Sequence, residues 1–154
     1  MALAAEIKQR RPFESPEHEA YLNLVRTATA LMRQETELLK AHDLTPAQFN
    51  VLRILRGAGG DGLICREIGE RMVTWDPDVT KLLDRLETRG LVTRERQPRD
   101  RRAIVARVTR KGLSMLQQVD KPMLDMVTGL LGHLGDRKLK RLSELLAAAR
   151  ERGS

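Results

Sequence analysis

Eight basic residues stand between Arg94 and Lys111 (Arg94, Arg96, Arg99, Arg101, Arg102, Arg107, Arg110 and Lys111) against two acids, Glu95 and Asp100. The whole 154-residue chain carries a net +7, so this one segment nearly equals it. A cluster of that kind can neutralise phosphates or dock an acidic surface. A plain solvated face is the competing account of any charge run. The neighbouring residues favour a polyanion. Val79, Leu82, Leu83 and Leu86 recur at helical spacing, while Asp78, Thr80, Lys81, Asp84 and Arg85 occupy the other face. A helix from Pro77 to Arg89 would be roughly 20 Å long and would fit a major groove about 12 Å wide. Thr80 can touch a thymine methyl or a phosphate, and Lys81 a guanine or a phosphate. Arg85 either joins them or forms a surface ion pair. A short exposed helix joined to a basic hairpin suits duplex DNA.

Other chemistries find little support. Aromatic residues make up 3% of the chain (Phe13, Tyr21, Phe49 and Trp75), too few for the stacking platforms of a single-strand binder. His18, His42 and His133 lie far apart and read as surface or packing residues. No Ser/His/Asp order, glycine-rich phosphate loop or metal-ligand cluster is present, so neither an enzyme nor a cofactor or metal site is expected. The single cysteine, Cys65, rules out an internal disulfide and fits a reducing compartment. It reads as a packing residue, with redox sensing as the alternative. The N-terminus lacks an apolar run long enough for a signal sequence, and no stretch approaches the roughly 20 apolar residues of a membrane span. A soluble, cytoplasmic protein with no membrane partner is expected.

The elements that must position the basic segment follow from local signals. Asp76 is the expected N-cap before Pro77, and Gly90 the left-handed stop. The runs LVTRERQ and AIVARVT read as strands flanking Pro98 to Arg102. Ser15-Pro16-Glu17 opens a helix reaching about Ala41, and residues 1–14 read as a flexible arm. Thr45 to Gln48 form a capping box ahead of a core helix to about Arg56. A flexible loop over Gly57 to Gly62 should follow. Ile64, Ile68 and Met72 mark a short helix to about Val73, in which Gly69 implies a close crossing with the next helix. Two helices and a short turn make a helix-turn-helix. Thr109 caps a later helix that Pro122 should kink or interrupt. Gly135-Asp136 starts the last one, running to near Glu151. Residues 43–112 therefore read as the DNA-binding domain, and 15–42 with 113–152 as a helical dimerisation region. Those terminal helices carry more apolar stripe than a module of roughly 70 residues can cover. An intertwined dimer is expected, with Tyr21, Leu24, Leu130, Leu142, Leu145 and Leu146 in its interface. The alternative is a larger monomer core.

The order of capping box, short helix, TKLLDRLETRGLV, basic hairpin and Val108-Thr109-Arg110-Lys111-Gly112 resembles the MarR family of bacterial transcriptional regulators. The family pattern places a DRLE-x-x-GLV run on the recognition helix, here Asp84 to Val92. Asp-x-Arg in the wing is here Asp100 to Arg102, and Val108 stands where the family has leucine before Thr109. The resemblance covers about residues 16–150. It implies a mainly α fold: a winged helix-turn-helix with a β-hairpin wing, plus N- and C-terminal dimerisation helices. It also implies that Asp100 steadies Arg102 for the minor groove, with Arg99 and Arg101 on the backbone. A pocket for a small effector is implied between the dimer helices and the winged helix, with Tyr21, Met32, Phe49 and Met126 as candidates, each also readable as core. Trp75-Asp76-Pro77-Asp78 departs from the small hydroxyl residues usual there. Asp78 could stabilise the helix end or meet a base. The resulting expectation is a homodimeric, sequence-specific regulator on a pseudo-palindromic double-stranded operator, acting as a ligand-modulated repressor. A winged helix that binds protein, or a non-specific architectural DNA binder, is the alternative.

Overall fold

Helices α2 and α3 each begin at a proline preceded by a hydroxyl side chain that takes up a free backbone amide. The computed structural model describes residues 2–97, 100 and 103–151. Helix α2 (Pro16–Lys40) starts at Ser15, whose Oγ accepts from the His18 amide at 3.2 Å. Helix α3 (Pro46–Ala58) starts with the expected reciprocal box: Thr45 Oγ1 accepts from Gln48 N at 3.2 Å, and Gln48 Oε1 from Thr45 N at 3.1 Å. A seven-residue helix α4 (Cys65–Arg71) and helix α5 (Val79–Thr88) follow. Helix α6 (Arg110–Leu131) is capped by Thr109, and α7 (Asp136–Glu151) closes the chain.

Four expectations change. Residues 2–14 are not simply an arm: Leu3–Glu6 form a short helix, α1, with Leu3 buried and Glu6 paired to Arg26 of α2 at 3.0 Å. The glycine run after α3 is not a loose loop, because α3 continues to Ala58 and Gly59–Asp61 form a 3-10 turn. Pro122 does not interrupt α6, which runs through it. The crossing at Gly69 is ordinary rather than tight, since a Cβ there would meet a Val79 methyl at 3.7 Å.

Among the described residues the sheet has three antiparallel strands in the order β1-β3-β2. Strands β2 (Val92–Arg96) and β3 (Ile104–Val108) form the expected hairpin, with Val92 opposite Val108 and Arg96 opposite Ile104. Strand β1 (Leu63–Ile64) was not anticipated; two residues are too few for an alternating pattern to show. Gly62 makes it possible. Its φ is +69°, and a Cβ there would lie 2.7 Å from side-chain carbons of Val105 and Arg107.

The core is where α3, α5 and the sheet meet: Leu52, Leu55, Ile68, Leu86 and Leu91 are fully buried. Leu116 and Val119 of α6 join it, which anchors that helix to the module. Helix α7 buries none of its residues. The tightest approach is at Gly112 in the first turn of α6. A Cβ there would collide with the Leu91 carbonyl oxygen and lie 2.7 Å from a Val108 methyl. Gly112→Ala should therefore destabilise the fold by about 1–3 kcal/mol, although alanine is the better helix former. Urea unfolding checks this, and an unchanged or raised midpoint would refute the close approach.

Candidate nucleic-acid interface

Helix α5 is shorter than expected and starts later. It spans Val79–Thr88, ten residues or about 15 Å. Asp76 is not its N-cap. Asp76 Oδ1 instead accepts from the Asp78 amide at 2.8 Å, turning the chain over Pro77 so that the helix cannot begin there. Asp78 is the cap, its Oδ1 accepting from Lys81 N at 2.9 Å. Of the two roles open to Asp78, stabilising the helix end is the one the geometry displays. The apolar stripe is as expected: Val79, Leu82, Leu83 and Leu86 are buried.

The opposite face is presented to solvent. Thr80, Lys81 and Arg85 are exposed, and neither Lys81 nor Arg85 has an ion-pair partner among the described residues. Thr80 Oγ1 lies 3.5 Å from Cys65 Sγ, which places the half-buried thiol of α4 beside it.

The acids of α5 face the wing. Arg94 on β2 donates from Nε and Nη2 to Glu87 Oε2 at 3.0 and 2.7 Å, and its backbone amide donates to Oε1 at 3.1 Å. Its Nη2 also lies 2.6 Å from Asp84 Oδ1. The hydrogen bond to Glu87, helped by Asp84, holds the guanidinium above the ordinary arginine pKa against the opposing effect of burial. This clamp sets the angle between helix and wing. It was missed from sequence, where Asp84 read only as part of the outer face and Glu87 only as part of the DRLE-x-x-GLV run. Their spacing of three was the available signal, but which strand residue they meet depends on the turn at Gly90, whose φ is +70°.

The hairpin itself is braced toward both ends. Near its base Arg107 Nε donates to the Gly60 carbonyl at 2.7 Å, and toward its tip Gln97 N donates to the Ala103 carbonyl at 3.0 Å. The Asp100 carbonyl accepts from Ala103 N at 3.0 Å, and Asp100 is exposed. Arg99, Arg101 and Arg102 lie outside the described residues.

The effector candidates separate. Met32, Phe49 and Met126 line one cavity of about 240 Å³ between α2, α3 and α6, together with Glu35 and Arg53. Arg53 lies 5.8 Å from the centre of the Phe49 ring. Tyr21 does not line it and is 61% exposed. The residues expected at a dimer interface are left open to solvent. Tyr21 and Leu24 on α2, and Leu142 and Leu145 on α7, are exposed, while Leu130 and Leu146 are half-buried.

A helix-turn-helix of α4 and α5, backed by a β2–β3 hairpin, is a winged helix-turn-helix module. A model of the MarR family matches residues 42–103. The uncharacterized HTH-type transcriptional regulator YkoM of Bacillus subtilis is 32% identical over 114 residues, covering 71% of this chain and 73% of its own. A MarR transcription factor from Planctomyces limnophilus is 36% identical in its crystal structure, over 89% of this chain and 99% of that one, with a TM-score of 0.69. Sco3205 of Streptomyces coelicolor, crystallised in complex with DNA, shares the fold at a TM-score of 0.82 and 20% identity, over 93% of this chain and 91% of that one. The chain belongs to the MarR family, a family of transcriptional regulators.

The corrected cap has a measurable consequence. Asp78→Ala should lower stability by about 1 kcal/mol. Asp78→Asn should retain most of it, because the amide oxygen can still accept from Lys81 N. Equal losses in the two variants, read from urea midpoints, would show that the cap is not the source.

Proposed function

We propose that this protein is a homodimeric, sequence-specific regulator of transcription that binds double-stranded DNA in the cytoplasm and acts as a repressor. The observation that carries the reading is the exposed outer face of α5. Thr80, Lys81 and Arg85 project from a helix whose other face is buried and whose acids are engaged by backbone amides or by Arg94. Lys81 and Arg85 would meet phosphates or guanine, and Thr80 a thymine methyl or a phosphate. Asp100 would steady Arg102 in the adjacent minor groove, with Arg99 and Arg101 on the backbone. Sco3205, which shares the fold, is a DNA complex, and that supports the same class of partner here.

The dimer reading rests on unpartnered apolar surface. Leu142 and Leu145 of α7, with Tyr21 and Leu24 of α2, belong to stripes that the single chain does not cover. A second copy, packing both termini together, would cover them and place two α5 helices on successive major-groove faces, roughly 34 Å apart. The cavity beside Met32, Phe49 and Met126 is where a small, mainly apolar effector would act. It would do so only by binding one spacing of the two copies better than another. Described residues contain no helix long and apolar enough to cross a membrane.

Gel-shift titration on the protein's own upstream DNA, with random competitor, tests the class. Specific retention supports a regulator, equal competition an architectural binder, and no retention a protein-binding winged helix. If about six phosphates are neutralised per dimer, log K should fall with log salt at a slope near −5. A slope near zero would remove the electrostatic basis. Arg102→Ala should weaken binding without moving the unfolding midpoint, and unchanged affinity would take that arginine out of the site.

A further inference from the structure

Two side chains in the turn between α4 and α5 stand further into solvent than any other large apolar residue among those described. Val73 is 84% exposed and Trp75 86%, where the next, Leu124, reaches 65%. Apart from Ile104, the remaining exposed apolar residues lie on or beside α1, α2, α6 and α7. A second copy would cover those terminal helices. Val73 and Trp75 do not belong to their stripes, so a different occupant is needed.

The turn is held in place. The Val73 amide donates to Asn50 Oδ1 of α3 at 2.8 Å, and the Asp78 amide to Asp76 Oδ1 at 2.8 Å. Pro77 restricts the backbone between them. The indole is thus presented on a braced segment at the leading end of α5, the end from which recognition helices contact base edges. An aromatic side chain buries about 150–250 Å² when covered. Leaving that surface in water favours any partner that shields it.

Charge selects the partner. The carboxylates of Asp76 and Asp78 accept from backbone amides, while Lys81 and Arg85 on the same helix have no ion-pair partner among the described residues. A polyanion that also offers apolar groups satisfies both features. In the major groove of DNA those groups are the 5-methyls of thymine.

We propose that Trp75 is a specificity-determining residue of this regulator, its indole packing on a thymine methyl at the edge of each half-site. Val73 flanks the contact. The proposal rests on the DNA-binding reading above.

Trp75 is the single tryptophan of the chain, so its fluorescence reports on it alone. The probe is a duplex that the protein itself selects from a random pool. On binding, emission should shift to the blue and acrylamide quenching should fall. Trp75→Ala should bind the selected duplex about tenfold more weakly, with random duplex affinity and unfolding midpoint unchanged. Replacing one thymine by deoxyuridine, which lacks the methyl, should weaken the natural chain by a similar factor and leave Trp75→Ala unaffected. The proposal is overturned by unshifted emission, by equal losses on selected and random duplexes, or by additive effects of the two changes. It is also overturned if the free protein already shows blue, protected emission, which would place a second copy over the indole. If no duplex is selected, the DNA reading falls and takes the proposal with it. If one is selected and the Trp75 measurements fail, only the proposal falls.

Discussion

Leu91 is fully buried where helix α5, the wing and the long helix α6 converge, and the hydrogen bonds around it join all three. Its amide donates to the Leu86 carbonyl at 3.0 Å, ending α5, and its own carbonyl accepts from Thr109 N at 3.0 Å, closing the base of the hairpin. Thr109 Oγ1 then donates to the Gly90 carbonyl at 2.7 Å and accepts from Gly112 N at 3.0 Å, which starts α6. Lys111 Nζ reaches the Arg89 carbonyl at 2.8 Å. One hydroxyl thus serves both the end of one helix and the start of another. The arrangement needs Gly112, because a side chain there would occupy the space of the Leu91 carbonyl. Helix α6 is thus joined to α5 through hydrogen bonds rather than through a flexible linker.

The second organising feature is the separation of charge on α5. Asp84 and Glu87 are drawn inward to Arg94, so the negative charge of the helix lies toward the wing. Asp76 and Asp78 are occupied at its start by the amides of Asp78 and Lys81. What remains outward is Thr80, Lys81 and Arg85. An acid-rich sequence would on its face repel phosphates. The fold resolves this by giving each of these acids a structural partner. Arg94 accordingly differs from the rest of the basic segment. It belongs to the scaffold, and its charge should be discounted when the phosphate-facing charge is counted.

Signals confined to a few neighbouring residues were legible in the sequence: the caps at Ser15, Thr45 and Thr109, the stop at Gly90, the stripe from Val79 to Leu86, and the two wing strands. Each depends on dihedral preference or on a period that one helix or hairpin imposes by itself. The misreadings arose where a second chemistry competed locally. Asp76 before a proline looks like a cap, but its carboxylate forms a tighter turn two residues ahead and passes the role to Asp78. Strand β1 and helix α1 are too short to carry a period, and both exist through contacts with distant segments, Ala106 for Leu63 and Arg26 for Glu6. The Arg94 clamp is likewise tertiary. Of the candidate site, the outward face of α5 could be read from periodicity, whereas the relation of that face to the wing could not.

The position of the small cavity gives the proposed regulation a physical route. Met32, Glu35, Phe49, Arg53 and Met126 line it from α2, α3 and α6. Two of those helices lead to the interface by short connections. Helix α6 joins the junction at Leu91 through Thr109 and Gly112, and Asn50, one residue after Phe49 on α3, holds the turn before α5 through the Val73 amide. The bidentate pair of Arg56 with Asp120, at 2.7 and 3.0 Å, ties α3 to α6 below the cavity and limits how far they can part. A ligand that spreads α2 from this pair would tilt the module as a body instead of unpacking it. In the proposed dimer the quantity altered is then the distance between two recognition helices. Binding to DNA of fixed pitch is sensitive to that distance even when every contact residue keeps its local conformation.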